Sequence, residues 1–231
     1  MAENRYTRTI QMIGEDGVER LKAATVLIVG VGGVGSYAAE AIARSGVGRI
    51  ILVDGDDVAV SNLNRQLVAL TSTIGRNKAE VMAERIRDID PECEVTAIAG
   101  FYGRGDEAES LRAICGKKDG ELYCVDAIDD VDAKVRLIRQ ALAEDVVIVS
   151  AMGAAGKFET CFKTADLSKT TMCPLAKVMR KRLKAEGIEH LPVVYSEEKP
   201  IPRDGVLGTM SYVPGAAGLE LAGYVIRRIV Q

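Results

Sequence analysis

The sequence predicts an α/β fold: a doubly wound, mainly parallel sheet with an N-terminal helical arm and a mixed C-terminal extension. Three observations predict it. Short, continuously apolar runs such as Thr25–Val29 and Arg49–Val53 read as strands buried on both faces. Segments of helical period alternate with them, which calls for crossover connections and hence parallel pairing. The first apolar run also passes directly into GVGGVG, residues 30–35, the strand, glycine turn and helix of a Rossmann-like nucleotide site.

Taken in order, residues 6–21 carry Ile10, Ile13, Val18 and Leu21 at helical spacing, interrupted by Gly14 and Gly17, and read as an arm laid over the sheet. After the first strand and its helix, Arg49–Val53 forms the second strand, closed by Asp54. Residues 75–88 are the clearest helix, with Val81, Met82, Arg85, Ile86 and Ile89 as one stripe beside Lys78, Glu80, Glu84 and Arg87. Residues 121–128 read as a strand, 133–143 as a helix and 146–151 as a strand ending in a glycine-containing turn. Beyond Phe158 the character changes: residues 158–168 alternate, 174–186 form a basic helix, 193–198 a short strand and 215–229 a closing helix. No internal repeat or low-complexity linker divides the chain.

A length of 231 residues with 48% apolar residues suits one domain with a sizeable core. A net charge of −3 gives no global field for polyanions, so nucleic acid is neither implied nor excluded. Five cysteines, Cys93, Cys115, Cys124, Cys161 and Cys173, contain no C-x-x-C pair, and the N-terminal residues lack an apolar signal core; a reduced, cytoplasmic protein is expected. The apolar run at 215–226 is interrupted by Glu220 and is too short to span a bilayer, so no membrane anchor is expected.

The chemistry starts at the glycines. Gly30 lets the chain reverse, Gly32 and Gly33 let backbone N–H groups approach a phosphate, and Gly35 permits close packing of the following helix. Asp54 is placed to accept from a ribose hydroxyl. A dinucleotide-dependent oxidoreductase and an ATP-consuming adenylating enzyme both fit these features, and the residues after Asp54 favour the second. Nicotinamide chemistry has no use for so dense a polar run as DGDDVAVSNLNRQ, residues 54–66. A triphosphate does: Arg65 can fork onto its oxygens, Lys78 supplies a point charge, and Asn62, Asn64 or Gln66 can donate hydrogen bonds. Asp129 follows a strand at the carboxyl edge of the sheet, where a carboxylate beside ATP holds magnesium. The competing structural reading makes Arg65 and Lys78 solvated charges and Asp129 a helix N-cap before Ala133.

Together GVGGVG, Asp54, SNLNRQ, Lys78 and DAIDD resemble the activating family that includes the sulfur-carrier and molybdopterin adenylating enzymes and the ubiquitin-activating enzymes. The resemblance spans residues 5 to about 150. It implies that Gly33, Asp54, Ser61, Asn62, Leu63, Asn64, Arg65, Lys78, Asp129 and Asp130 contact ATP or its magnesium, with Asp129 the catalytic aspartate. It further implies a homodimer in which Arg8, on the RYTRTI arm, reaches the partner's active site. Asp130 departs from the family's common asparagine. Carrier-protein activators hold zinc through two C-x-x-C pairs; this chain has neither, so zinc is not expected.

The downstream half, VSAMGAAGKFETCFKTADLSKTTMCPLAKVMRKRLKAEGI followed by VVYSEE, is similar to the tRNA threonylcarbamoyladenosine dehydratases over essentially the whole length. That resemblance implies a single adenylating domain over residues 1–231, with a nucleotide core at 5–150 and a substrate-side, dimer-forming extension at 151–231. It implies a substrate carboxylate on a modified adenosine beside the tRNA anticodon, adenylated and then cyclised with loss of water. The nucleophile is then the substrate's own ureido group, so no cysteine thioester is needed. Cys173 reads as a small buried hydrophobe at a helix start, and His190, the one histidine, as structural. Lys177, Arg180, Lys181, Arg182 and Lys184 form the candidate tRNA-contacting surface, or else a solvated helix face. The backbone carbonyls of residues 152–156 are a candidate monovalent-cation site, and the sequence names no sulfur-transfer partner. Two other readings compete: adenylation of a small carrier protein's C-terminal glycine, and an ATP-sensing scaffold without turnover.

Overall fold

A computed structural model describes residues 4–103, 110–116 and 121–231. In chain order the elements are α1 (Thr7–Ala23), β1 (Thr25–Val29), α2 (Gly35–Ser45), β2 (Arg49–Val53), α3 (Lys78–Ile89), β3 (Glu94–Ile98) and α4 (Leu111–Ile114). They continue with β4 (Leu122–Asp126), α5 (Val131–Ala143), β5 (Val147–Ala151), β6 (Lys163–Asp166), α6 (Pro174–Ala185), β7 (Pro192–Tyr195) and α7 (Tyr212–Val230). The strands make one sheet in the order β3-β2-β1-β4-β5-β7-β6, parallel except for β6, which runs antiparallel to β7.

The apolar runs are explained by burial on both faces. In β1, Val26 and Ile28 join a core with α1, α2, α3 and α7, whereas Leu27 and Val29 join a second core with α4, α5 and α6. Helices on both faces make the sheet doubly wound, as expected. The chain leaves β1 toward β2 and β3 on one side and continues to β4 and β5 on the other. The loops after β1 and β4 therefore meet at the switch point where ligands of open α/β sheets bind. Gly30 is essential to that meeting: its φ is +90°, and a Cβ there would lie 2.6 Å from the Ala127 carbonyl oxygen. At Gly35 a Cβ would lie 1.8 Å from the Gly30 carbonyl oxygen, so the second glycine closes the turn on itself as much as it packs the helix.

The expected boundaries shift for local reasons. In α1 only Gly14 breaks the helix, with φ 75° and ψ 171°, while Gly17 is helical and buried. α3 begins at Lys78 because the Asn77 side chain caps it, accepting from the N–H groups of Ala79 and Glu80. Its stripe is completed by Ala79 and Ala83; Arg85 is exposed and pairs with Glu40, and Lys78 is buried rather than on the polar face. Residues 158 and 159 do not extend β6, because their N–H groups bind the Glu198 carboxylate at 2.8 and 2.9 Å. α7 starts at Tyr212, with Pro214 in its first turn, where the missing N–H costs nothing. Among the described residues no helix is long and apolar enough to cross a membrane.

Candidate active site

A cavity of about 1200 Å³ opens at the switch point, lined by the β1–α2 turn, the segment after β2, the start of α3 and the β4–α5 loop. The turn is held from below. Gly30 donates to the Val53 carbonyl at 2.9 Å, Val31 N–H to Asp54 Oδ2 at 2.6 Å, and Ser36 Oγ to the Gly32 carbonyl at 2.6 Å. At Gly32 and Gly33 a Cβ would find its nearest protein neighbours at 3.7 and 3.3 Å. The protein crowds these two less than Gly30 or Gly35, which leaves their faces open toward the cavity.

Asp54 accepts from Val31 with one oxygen and from Asp56 N–H at 2.9 Å with the other. Burial pushes its carboxyl above the usual aspartate value, against the pull of those two N–H groups and of Lys78. Asp54 thus fixes the glycine turn and, on the cavity wall, keeps lone pairs that could accept from a ligand hydroxyl. Lys78, at the first position of α3, is 5% exposed, and its ammonium reaches Asp56 Oδ2 at 2.8 Å on the cavity wall.

Of the SNLNRQ segment, the structure brings only Arg65 and Gln66 into the lining. Ser61 and Leu63 are exposed outside it. Asn62 is buried and turns its Oδ1 to the Ala59 N–H at 3.0 Å, stabilising its own 3-10 turn. Asn64 donates to the Thr209 carbonyl at 2.9 Å, tying the loop to the segment before α7. Asn62 and Asn64 therefore brace the loop that carries Arg65, and none of these four lines the cavity. Arg65 is steadied by the Ser61 carbonyl at 2.8 Å and Asn64 Oδ1 at 3.0 Å. Gln66 Oε1 is buried without a hydrogen-bond partner among the described residues, an acceptor available to a ligand.

The two aspartates after β4 divide their tasks. Asp130, expected at the nucleotide, lines the cavity and is also the N-cap of α5, accepting from Ala133 N–H at 2.7 Å. Asp129 is exposed on the cavity wall, with no hydrogen bond or ion pair among the described residues, so it is not the cap. Its carboxylate is available to a cation. No group of three or more His, Cys, Asp or Glu able to hold a metal occurs among the described residues, so an ion at Asp129 would need phosphate oxygens and water to complete its shell.

Sequence reasoning missed several neighbours. Phe101 and Tyr102 line the cavity just after β3, with the Phe101 ring against Gly55, where a Cβ would meet it at 2.5 Å. This is a flat wall suited to a base. Asp126 and Lys134 form a fully buried pair beneath the β4–α5 loop, joined by Ser150. Arg136 and Arg139 also line the cavity, beside Arg182, which was expected on the tRNA-contacting helix. Only the apolar run before Asp126 and the i, i+3 spacing of Arg136 and Arg139 hinted at these groups in sequence.

The basic helix does not act as a unit. Arg180 turns back onto Thr170, and Arg182 faces the cavity, while Lys177, Lys181 and Lys184 are exposed outside its lining. Arg8 is exposed on α1 and is not part of its own chain's cavity; among the described residues its guanidinium reaches only Gln11, at 3.4 Å. Cys173 is buried at the N-cap of α6, and His190 pairs with Asp166 at 3.1 Å on the surface.

The model of the ThiF family matches residues 6–231. The chain is 42% identical over 248 aligned positions to the tRNA threonylcarbamoyladenosine dehydratase of Bacillus subtilis (strain 168), covering 99% of this chain and 95% of that one. It is 43% identical to the dehydratase of the same name from Escherichia coli (strain K12), over 79% of this chain and 66% of that one. A crystal structure of E. coli tRNA N6-threonylcarbamoyladenosine dehydratase, TcdA, in complex with ATP superposes with a TM-score of 0.87 at 36% identity, covering 97% of this chain and 93% of the other.

Proposed function

The chain belongs to the ThiF family, and from that premise we propose that it is an ATP-dependent tRNA threonylcarbamoyladenosine dehydratase. The observation that carries the proposal is one cavity that gathers the glycine turn, Asp54, Arg65, Lys78 and an Asp129 unpaired among the described residues.

A carboxylate is a poor electrophile until one of its oxygens becomes a good leaving group. In the first step the threonyl carboxylate oxygen attacks the α-phosphorus of ATP, the bond from that phosphorus to the bridging oxygen breaks, and pyrophosphate departs. In the second, the ureido group attacks the acyl carbon, gives up its proton to solvent, and AMP leaves. Closure within one molecule is favoured by proximity. Arg65 and Lys78 take up phosphate charge as it shifts, and Asp54 holds the ribose. Asp129 fits magnesium, since its carboxylate has no protein partner among the described residues; bound there, the ion would supply Lewis-acid stabilisation of phosphate charge.

The same reading includes a homodimer. Val206, Met210 and Tyr212 expose apolar surface close in sequence to the lining residues Leu207, Thr209 and Pro214, and Arg8 is exposed and does not line its own chain's cavity; both support an arm that completes the partner's cavity. Residues 153–155 line the cavity, which supports a monovalent cation held by the carbonyls of 152–156. Lys177, Lys181 and Lys184 are outer tRNA contacts, and a tRNA substrate supports a cytoplasmic setting.

The test is mass spectrometry of tRNA nucleosides after incubation of modified tRNA with enzyme and ATP. A nucleoside lighter by one water is expected. Unchanged nucleoside, with AMP formed only when a small carrier protein is added, would overturn the proposal in favour of carrier activation.

A further inference from the structure

We infer that an arginine ridge on α5 and α6, Arg136, Arg139 and Arg182, grips the RNA backbone flanking the reacting nucleotide. The inference rests on the tRNA reading above and adds a surface that the basic helix alone did not define. All three arginines line the cavity, and they come from different elements than Arg65 and Lys78, the cations assigned to the triphosphate. The cavity, at about 1200 Å³, also exceeds the roughly 300–1,000 Å³ of ordinary small-molecule sites, which leaves room for a second substrate beside ATP.

The ridge is available to a polyanion. Arg136 has no hydrogen bond or ion pair among the described residues and is exposed. Arg139 lies 3.5 Å from Glu186, and Arg182 lies 2.5 Å from Asp132, in pairs whose side chains are 40–66% exposed. Exposed pairs of this kind are weak and screened by salt, so a phosphate can take either guanidinium from its carboxylate. Arginine's planar fork suits phosphate oxygens, and contacts of that type position RNA without reading its sequence. Lys181 and Lys177 continue positive charge from Arg182 along α6 onto the outer surface, where neither makes an ion pair among the described residues.

The test compares wild-type enzyme with Arg136→Ala/Arg139→Ala and Arg136→Lys/Arg139→Lys. Binding of modified tRNA is followed by fluorescence anisotropy across a salt series, and ATP binding by calorimetry. The alanine pair should weaken tRNA binding about tenfold or more. It should also flatten the slope of log K against log salt by about 0.7 for each phosphate left without its arginine. The lysine pair should recover most of the slope, and ATP affinity should stay within about twofold in both. Unchanged tRNA affinity and slope in the alanine pair would overturn the inference. So would an equal loss of ATP affinity, which would assign the arginines to the nucleotide. A wild-type enzyme that binds tRNA through these arginines yet cyclises nothing would uphold the ridge and remove the reading of function instead.

Discussion

Lys134 Nζ stands 2.8 Å from Asp126 Oδ2, with both side chains sealed from solvent, and this pair underpins the loop that presents Asp129. Ser150 Oγ donates to the same Asp126 oxygen at 2.6 Å, and the other oxygen accepts from Ile128 N–H at 3.2 Å. The carboxylate is thus shared between the floor of the sheet and the β4–α5 loop. Removing one partner of such a pair strands a buried charge. Lys134→Met should cost about 3–5 kcal/mol in urea unfolding, whereas Lys134→Met with Asp126→Leu should recover most of that loss. A single-variant cost below about 1 kcal/mol would contradict this role.

Arg65 is held by the Ser61 carbonyl and Asn64 Oδ1 at the cavity wall, so its fork is already ordered before phosphate charge develops. Arg65→Ala should lower turnover by about a hundredfold, the loss seen when one preorganised donor to a transition state is removed. An unchanged kcat with only a raised KM would assign Arg65 to ground-state binding.

Burial raises the Asp54 carboxyl above the usual aspartate value, so protonation begins at higher pH than for an exposed aspartate. The ionised form is the one that can accept from Val31, Asp56 and a ribose hydroxyl together. ATP affinity should therefore hold at neutral pH and fall on the acid side, starting above the ordinary aspartate range. Asp54→Asn should bind ATP more weakly at neutral pH and lose that acid-side fall. Calorimetric titrations across pH check both, and an identical acid limb in the variant would count against Asp54 as the titrating group.

The sequence discloses the molecule unevenly. The strands and the switch point were legible because both depend on local patterns: β1 and β2 are apolar throughout, and the glycine turn is contiguous. Arg65, Lys78 and Asp129 were legible as well, since chain spacing alone places them at the carboxyl edge. What could not be read was which polar groups the protein uses for itself. Asn62 and Asn64 serve their own loop, Asp130 caps α5, and Arg180 ties down Thr170; each choice depends on a partner fixed only by the fold. Arg136 and Arg139 escaped notice, and Arg182 was legible only as part of a basic helix, because helix packing, not sequence proximity, brings α5 and α6 to one cavity wall.

Arg8 provides a test of the dimer. Homodimers of Arg8→Ala and of Asp129→Ala should each be nearly inactive if the arm crosses to the partner. A mixed dimer of the two contains one site with both residues and one with neither, so about half the activity should return, as two-fold symmetry requires. If Arg8 serves its own chain, both sites stay defective and mixing recovers nothing.

Cys173 is buried at the start of α6, and the substrate carries its own nucleophile. Cys173→Ser should keep substantial activity, measured as AMP release with modified tRNA. A folded but inactive Cys173→Ser enzyme would point to a covalent intermediate.

Activation through an acyl adenylate is tested most directly by following the carboxylate oxygen. Modified tRNA whose threonyl carboxylate carries heavy oxygen is incubated with enzyme and ATP, and the products are weighed by mass spectrometry. One labelled oxygen should appear in AMP for each nucleoside cyclised, with pyrophosphate unlabelled. Label in inorganic phosphate, accompanied by ADP, or unlabelled AMP beside cyclised nucleoside, would contradict adenylation of the substrate.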